Sequence, residues 1–155
     1  MIELDQPAPF FSGKIDTGEE FNLNMIRGIT SVLYFYPKDD TPGCTKEAIA
    51  FSERIEDYEK LGVRIIGVSK DTIKKHCSFK SKYDLKITLI SDEDGNICEN
   101  YGVWVEKNMY GRKYMGIERT TFLIDDNGIV KNIWRKVKVP GHADAVLTTI
   151  KNVAN

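Results

Sequence analysis

The stretch Ser31-Val32-Leu33-Tyr34-Phe35-Tyr36-Pro37-Lys38-Asp39-Asp40-Thr41-Pro42-Gly43-Cys44-Thr45 decides how this chain is read. Its first six residues are β-prone and show no polar alternation, so they predict a strand buried on both faces, ended by Pro37. Thr41-Pro42 then reads as a helix N-cap followed by proline at the first helical position, and Gly62 after Leu61 reads as the stop. Between these limits Cys44, Ala48, Phe51, Ile55 and Tyr58 recur at steps of four and three. The cysteine in the first turn therefore shares the face that packs on the sheet.

Outward from this unit, Val63 to Val68 predicts a second buried strand. Asp71 to Tyr83 predicts a weaker helix with Ile73, Cys77 and either Phe79 or Lys80 toward the core. The charges around residues 70 to 82 read as its solvated face. Ile87 to Ile90 is a short strand, and Ser91 is expected to cap a small helix carrying Ile97, Cys98 and Tyr101. Thr120 to Ile124 pairs with Ile129 to Trp134 across Asp125-Asp126-Asn127-Gly128 as a hairpin. A last helix carries Ala143, Val146, Leu147 and Ile150, while the segment before Ser31 reads as irregular. Alternating strands and helices followed by a hairpin and a helix predict an α/β protein with a mixed central sheet and helices on both faces. Thioredoxin-like folds have this order. At 155 residues, with no linker or repeat, the expectation is one domain over residues 1–155.

Charged residues make up 29% of the chain and the formal net charge is −1, which gives no field for nucleic acid or an anionic membrane. No basic region followed by an apolar stretch opens the sequence, and no apolar run nears the ~20 residues of a membrane helix. A cytoplasmic protein without nucleic-acid or membrane partners is expected. Three cysteines, at 44, 77 and 98, do not make a disulfide framework. Their spacings contain no close pair for zinc, and His76 and His142 lack a second ligand one turn away. Both histidines read as solvated or satisfied surface residues, and no metal or organic cofactor is expected.

Cys44 at the third position of a capped helix has the setting of a reactive thiol, because free backbone N–H groups and the positive helix end favour a thiolate. Magnitudes show that this is not sufficient. Lowering a thiol from ~8.5 to about 6 needs roughly 3.4 kcal/mol, whereas a helix terminus supplies ~0.3–1 and at most ~2 kcal/mol. Asp39 and Asp40 oppose a thiolate unless they turn to solvent, so a cation from elsewhere in the chain is required.

The run PKDDTPGCT resembles the P-x-x-x-T-x-x-C signature of peroxiredoxins, in the form found in the bacterioferritin-comigratory-protein, or Q-type, branch. YFYPKDDTPGCTKEA, LISDEDGNICENYGVW and GIERTTFLIDDNG each resemble that branch in the same order, so the likeness covers nearly the whole chain. It implies that Cys44 is the peroxidatic cysteine, Thr41 the threonine that contacts peroxide, Pro37 the proline shielding the pocket, and Arg119 the missing cation. It further implies a thiol peroxidase that reduces hydrogen peroxide and organic hydroperoxides, is recycled by thioredoxin or a similar thiol, and acts as a monomer or weak dimer. Many members of the branch carry a resolving cysteine five residues after the peroxidatic one, and here that position is Ile49. Cys77, 33 residues after Cys44, is the candidate resolving cysteine, about one turn from the position expected in the following helix. Cys98 matches a cysteine without a usual catalytic role and reads as core filler.

Two other functions set the contrast. A disulfide oxidoreductase would need a Cys-x-x-Cys pair, but Thr41 and Glu47 occupy the partner positions of Cys44. A thioredoxin-like redox or holdase module without peroxidase activity would not need threonine, cysteine and arginine at matching places.

Overall fold

In the computed structural model, which describes residues 2–154, seven strands form one sheet in the order Glu20–Asn22, Ser12–Ile15, Thr88–Ser91, Val63–Ser69, Thr30–Phe35, Thr120–Ile124 and Val130–Trp134. At its centre β3 (Thr30–Phe35) runs parallel to β4 (Val63–Ser69), and β4 parallel to β5 (Thr88–Ser91). On the other side of β3, β8 (Thr120–Ile124) is antiparallel and pairs with β9 (Val130–Trp134) in the expected hairpin. The sheet is therefore mixed, as the element order predicts. From Val32 to Tyr36 the side chains of β3 and the residue after it alternate between two cores. Leu33 and Phe35 join Ile66, Val68, Tyr101 and Phe122, whereas Val32, Tyr34 and Tyr36 join Cys44, Phe51, Phe79 and Val146.

The second core receives the buried faces of α1 (Pro42–Glu53), α2 (Ile55–Lys60), α3 (Ile73–Tyr83) and α5 (His142–Ala154). The first is covered by the short α4 (Ile97–Asn100), a 3-10 turn at Leu23–Ile26 and the N-terminal segment. Helices lie on both faces, but the long ones share one of them. Among the described residues, no helix is long and apolar enough to cross a membrane.

Several local expectations are corrected. The single helix from Pro42 to Leu61 is broken at Arg54 (φ −102°, ψ 9°), where the Arg54 guanidinium takes the Ala50 carbonyl that Arg54's own backbone N–H would use in a continuous helix, and that N–H donates to the Phe51 carbonyl instead. Its Nε also meets Asp144 of α5, and the Tyr58 hydroxyl donates to the Ala143 carbonyl, so the break locks α2 and α5 together. In α3 the buried residues are His76 and Phe79, and Cys77 is exposed. Ser91 does not cap α4. Asp92 does, accepting from the N–H groups of Ile97 and Cys98, while Ser91 donates to the Asp71 carbonyl.

The segment before Ser31 is not irregular. β1 (Ser12–Ile15) and β2 (Glu20–Asn22) form an edge hairpin beside β5. A further two-stranded ribbon, β6 (Trp104–Met109) with β7 (Arg112–Ile117), turns at Tyr110-Gly111, where both residues have positive φ. Its tip is mostly exposed, so it lacks the buried face that hydrophobic alternation reveals.

Candidate active site

The site lies where β3 ends and α1 begins. Pro37 follows β3 and is partly buried, and the loop from Pro37 to Thr41 feeds Cys44 into the first turn of α1. Thr41 has the extended backbone of an N-cap, yet its side chain does not cap the helix: the hydroxyl donates to the Lys38 carbonyl at 2.8 Å. The expectation that it serves the cap is corrected. The first-turn N–H groups of Gly43 and Cys44 are consequently left without a side-chain partner from Thr41.

Arg119, which immediately precedes β8, reaches this turn across the sheet. One guanidinium nitrogen lies 3.5 Å from Cys44 Sγ and the other 2.7 Å from Glu47 Oε1. Gly43 permits the approach, since a Cβ there would sit 3.2 Å from Arg119 Nη2. Burial works against the guanidinium charge, but Glu47 and Cys44 outweigh it and hold Arg119 above its ordinary range. Lys107 on β6 feels the same cluster. Its pKa is lowered, chiefly by burial and then by Arg119.

The sequence marks Glu47 only as the residue standing where a cysteine partner of Cys44 would be. It is buried beside Arg119, its second oxygen has no hydrogen-bond partner among the described residues, and burial pushes its pKa up to about 7 against the attraction of Arg119. One signal was present: position 47 is one turn beyond Cys44 and next to Ala48 on the buried stripe, and an acid there requires a buried cation. The Tyr34 hydroxyl, also without a partner, is held well above its ordinary pKa, first by burial and then by Glu47 and Cys44. The Tyr34 ring fits because Gly67, its partner on β4, has no Cβ: an added one would lie 2.9 Å from it.

Asp39 turns inward, whereas Asp40 does face solvent. Asp39 is buried, accepts from the Tyr36 hydroxyl and lies 2.6 Å from His76 Nδ1; Asp40 accepts from Lys82 Nζ and the Tyr83 hydroxyl. Both histidines are buried, contrary to the surface reading. His76 also meets the Ile90 carbonyl, and His142 meets the Thr121 hydroxyl at 2.8 Å. Burial, then repulsion from Arg119, lowers His142 to about 4. Nor is the charge run at residues 70 to 82 wholly solvated, because Lys70, Lys80 and Lys82 pair with Asp92, Asp16 and Asp40.

The three cysteines are separated by this architecture. Cys44 is buried in the core shared by α1, α3 and α5, and Cys98 is buried in the opposite one. Burial, followed by Asp92, pushes the Cys98 thiol far above its usual range. Cys77 is exposed, with its thiol donating to the Asp16 carbonyl at 3.0 Å, and Lys80 one turn later reaches the Asp16 carboxylate.

The chain is similar to known proteins over nearly its whole length. The AhpC/TSA family profile matches residues 4–133. The putative peroxiredoxin bcp of Coxiella burnetii is 53% identical over 146 residues, covering 94% of this chain and 97% of that protein. Peroxiredoxin Bcp of Bacillus subtilis is 46% identical, covering 99% and 98%. Among solved structures, the bacterioferritin comigratory protein of Xanthomonas campestris, described in terms of alkyl peroxide reduction, superposes with a TM-score of 0.89 at 43% identity, over 94% of this chain and 92% of that one.

Proposed function

This chain belongs to the AhpC/TSA family, as a peroxiredoxin of the Bcp or Q type with a thioredoxin-like fold, and on that premise we propose that Cys44 is the sulfur with which it reduces hydroperoxides. It is a thiol-dependent peroxidase. The observation that carries the residue assignment is the Arg119 guanidinium 3.5 Å from Cys44 Sγ at a helix start whose capping hydroxyl is turned away.

The Cys44 thiolate attacks the nearer oxygen of a hydroperoxide along the O–O axis. The S–O bond forms as the O–O bond breaks, Cys44 becomes a sulfenic acid, and the other oxygen leaves as alcohol or water after taking a proton. Charge develops on the oxygens during this step. Arg119 and the N–H groups of Gly43 and Cys44 are the donors available to it, preorganised in a water-poor site. Because the Thr41 hydrogen is committed to the Lys38 carbonyl, its oxygen faces the substrate as an acceptor and orients the peroxide O–H. Pro37, on the strand side, shields the pocket.

Cys77 is the resolving thiol: it condenses with the sulfenic acid to a disulfide and releases water. Thioredoxin or a similar dithiol then reduces that disulfide. Its exposed position on α3 suits attack, in contrast to Cys98 on the far side of the sheet.

The test is Cys44→Ser. Loss of second-order peroxide consumption with an unchanged fold is expected, and wild-type consumption by this variant would remove the assignment.

A further inference from the structure

Asp39 and Asp40 are neighbours in the loop that delivers Cys44, yet they hold opposite ends of α3. Asp39 accepts from His76 in its first turns, at 2.6 Å, and Asp40 accepts from Lys82 at 2.8 Å and Tyr83 at 2.6 Å at its end. Asp40 has φ 57°, a left-handed conformation that a non-glycine residue adopts at a cost, and it reverses the backbone between the two contacts. The first contact is buried and the second exposed. His76 adds a further tie, because its two ring nitrogens face two acceptors, the Asp39 carboxylate and the Ile90 carbonyl. A neutral imidazole satisfies one of them; the imidazolium satisfies both. The Asp39 N–H also donates to Asp71 Oδ2, just ahead of the α3 cap at Thr72.

α3 carries Cys77 next to His76. A disulfide needs the two Cα atoms within ~7 Å, so the turn that presents Cys77 to Cys44 has to leave its packed position, and it cannot do so while His76 is held. We propose that Asp39 and Asp40 are a two-point clamp on α3 that sets how fast Cys77 reaches the Cys44 sulfenic acid, with His76, Lys82 and Tyr83 as its positioning residues. This rests on the reading of Cys77 as the resolving thiol. The step it governs joins the two sulfurs, and the sulfenic oxygen leaves as water with the Cys77 proton. While the clamp holds, the sulfenic acid waits and is open to a second peroxide, which converts it to sulfinic acid.

The test perturbs α3 and leaves the Cys44 loop intact. His76→Gln weakens the buried end, Lys82→Met with Tyr83→Phe removes the exposed end, and Lys82→Arg keeps the ion pair. In the reduced full-length protein, amide hydrogen exchange is followed over α3 and, for general loosening, over β3 and β4. After one equivalent of hydrogen peroxide, Cys44 oxidation and disulfide formation are timed separately. Exchange in α3 and disulfide formation should accelerate together, about tenfold for His76→Gln and about threefold for the surface pair. Lys82→Arg should match the wild type, and exchange in β3 and β4 should not change. The surface variant keeps the test open if His76→Gln does not fold. Unchanged α3 exchange, or acceleration shared equally by β3 and β4, would overturn the clamp. Faster α3 exchange with no gain in disulfide formation would overturn its role in resolution. Absence of any Cys44 to Cys77 disulfide in the wild type would instead overturn the assignment of Cys77, and the exchange data would still decide whether the clamp exists.

Discussion

Arg119 Nη2 lies 3.5 Å from Cys44 Sγ although the two residues are 75 positions apart in the chain. A helix start alone offers less stabilisation than a nucleophilic thiolate requires, and on the reading of Cys44 as the attacking sulfur this contact is the cation that adds to it.

Arg119→Ala should slow oxidation of Cys44 by about 100-fold or more, the usual cost of removing a donor aimed at developing charge. Lysine at this position should restore only part, because a single ammonium cannot hold Glu47 and face the sulfur in the same forked geometry. Stopped-flow oxidation at several peroxide concentrations measures this. An unchanged rate would transfer the role to Lys107, the other cation coupled to Cys44.

Glu47 gives a distinct pH signature. Its folded pKa, about 7, lies above the 4.5 of an ordinary glutamate, so the folded protein binds this proton more tightly than the unfolded chain. The stability it contributes is complete below about pH 4.5 and is lost as the pH rises through about 7. Glu47→Gln should therefore gain on the wild type by about 3 kcal/mol over that window, as read by urea denaturation at a series of pH values. Parallel stability curves would show that Glu47 stays ionised throughout.

His142 works in the opposite sense. Its folded pKa of about 4 is below the ordinary 6.5, so the unfolded chain takes up the proton first and stability falls as the pH drops from about 6.5 to 4. Replacing it with glutamine, which can keep the Thr121 contact, should gain on the wild type as the pH falls across that window, by an amount on the order of 3 kcal/mol. Wild-type stability should accordingly vary little between about pH 4.5 and 6.5, where the two groups oppose each other, and each single variant should expose the slope of the other.

Cys77 should be found bonded to Cys44 when disulfides are mapped by mass after one equivalent of peroxide, and Cys98 should remain a thiol. If Cys44 instead persisted as sulfenic acid, or paired with Cys44 of a second molecule while Cys77 stayed open to alkylation, the protein would be a one-cysteine enzyme resolved by an external thiol.

β3, β4, the β8–β9 hairpin and the placing of Cys44 in the first turn of a helix are legible in the residues alone, because strand burial, turn residues and helix-start chemistry are written within a few consecutive positions. The family resemblance also pointed to Arg119, which the fold brings to within 3.5 Å of Cys44 Sγ. The β6–β7 ribbon escaped because its exposed side chains follow no core. Which charges meet is a matter of the folded chain. Glu47 finds Arg119 across 72 residues, Asp39 finds His76 across 37, and Asp40 finds Tyr83 across 43. A carboxylate or imidazole reads as a surface residue until the fold brings its partner close enough to offset the cost of burying it, and that partner is chosen by chain topology rather than by neighbouring sequence.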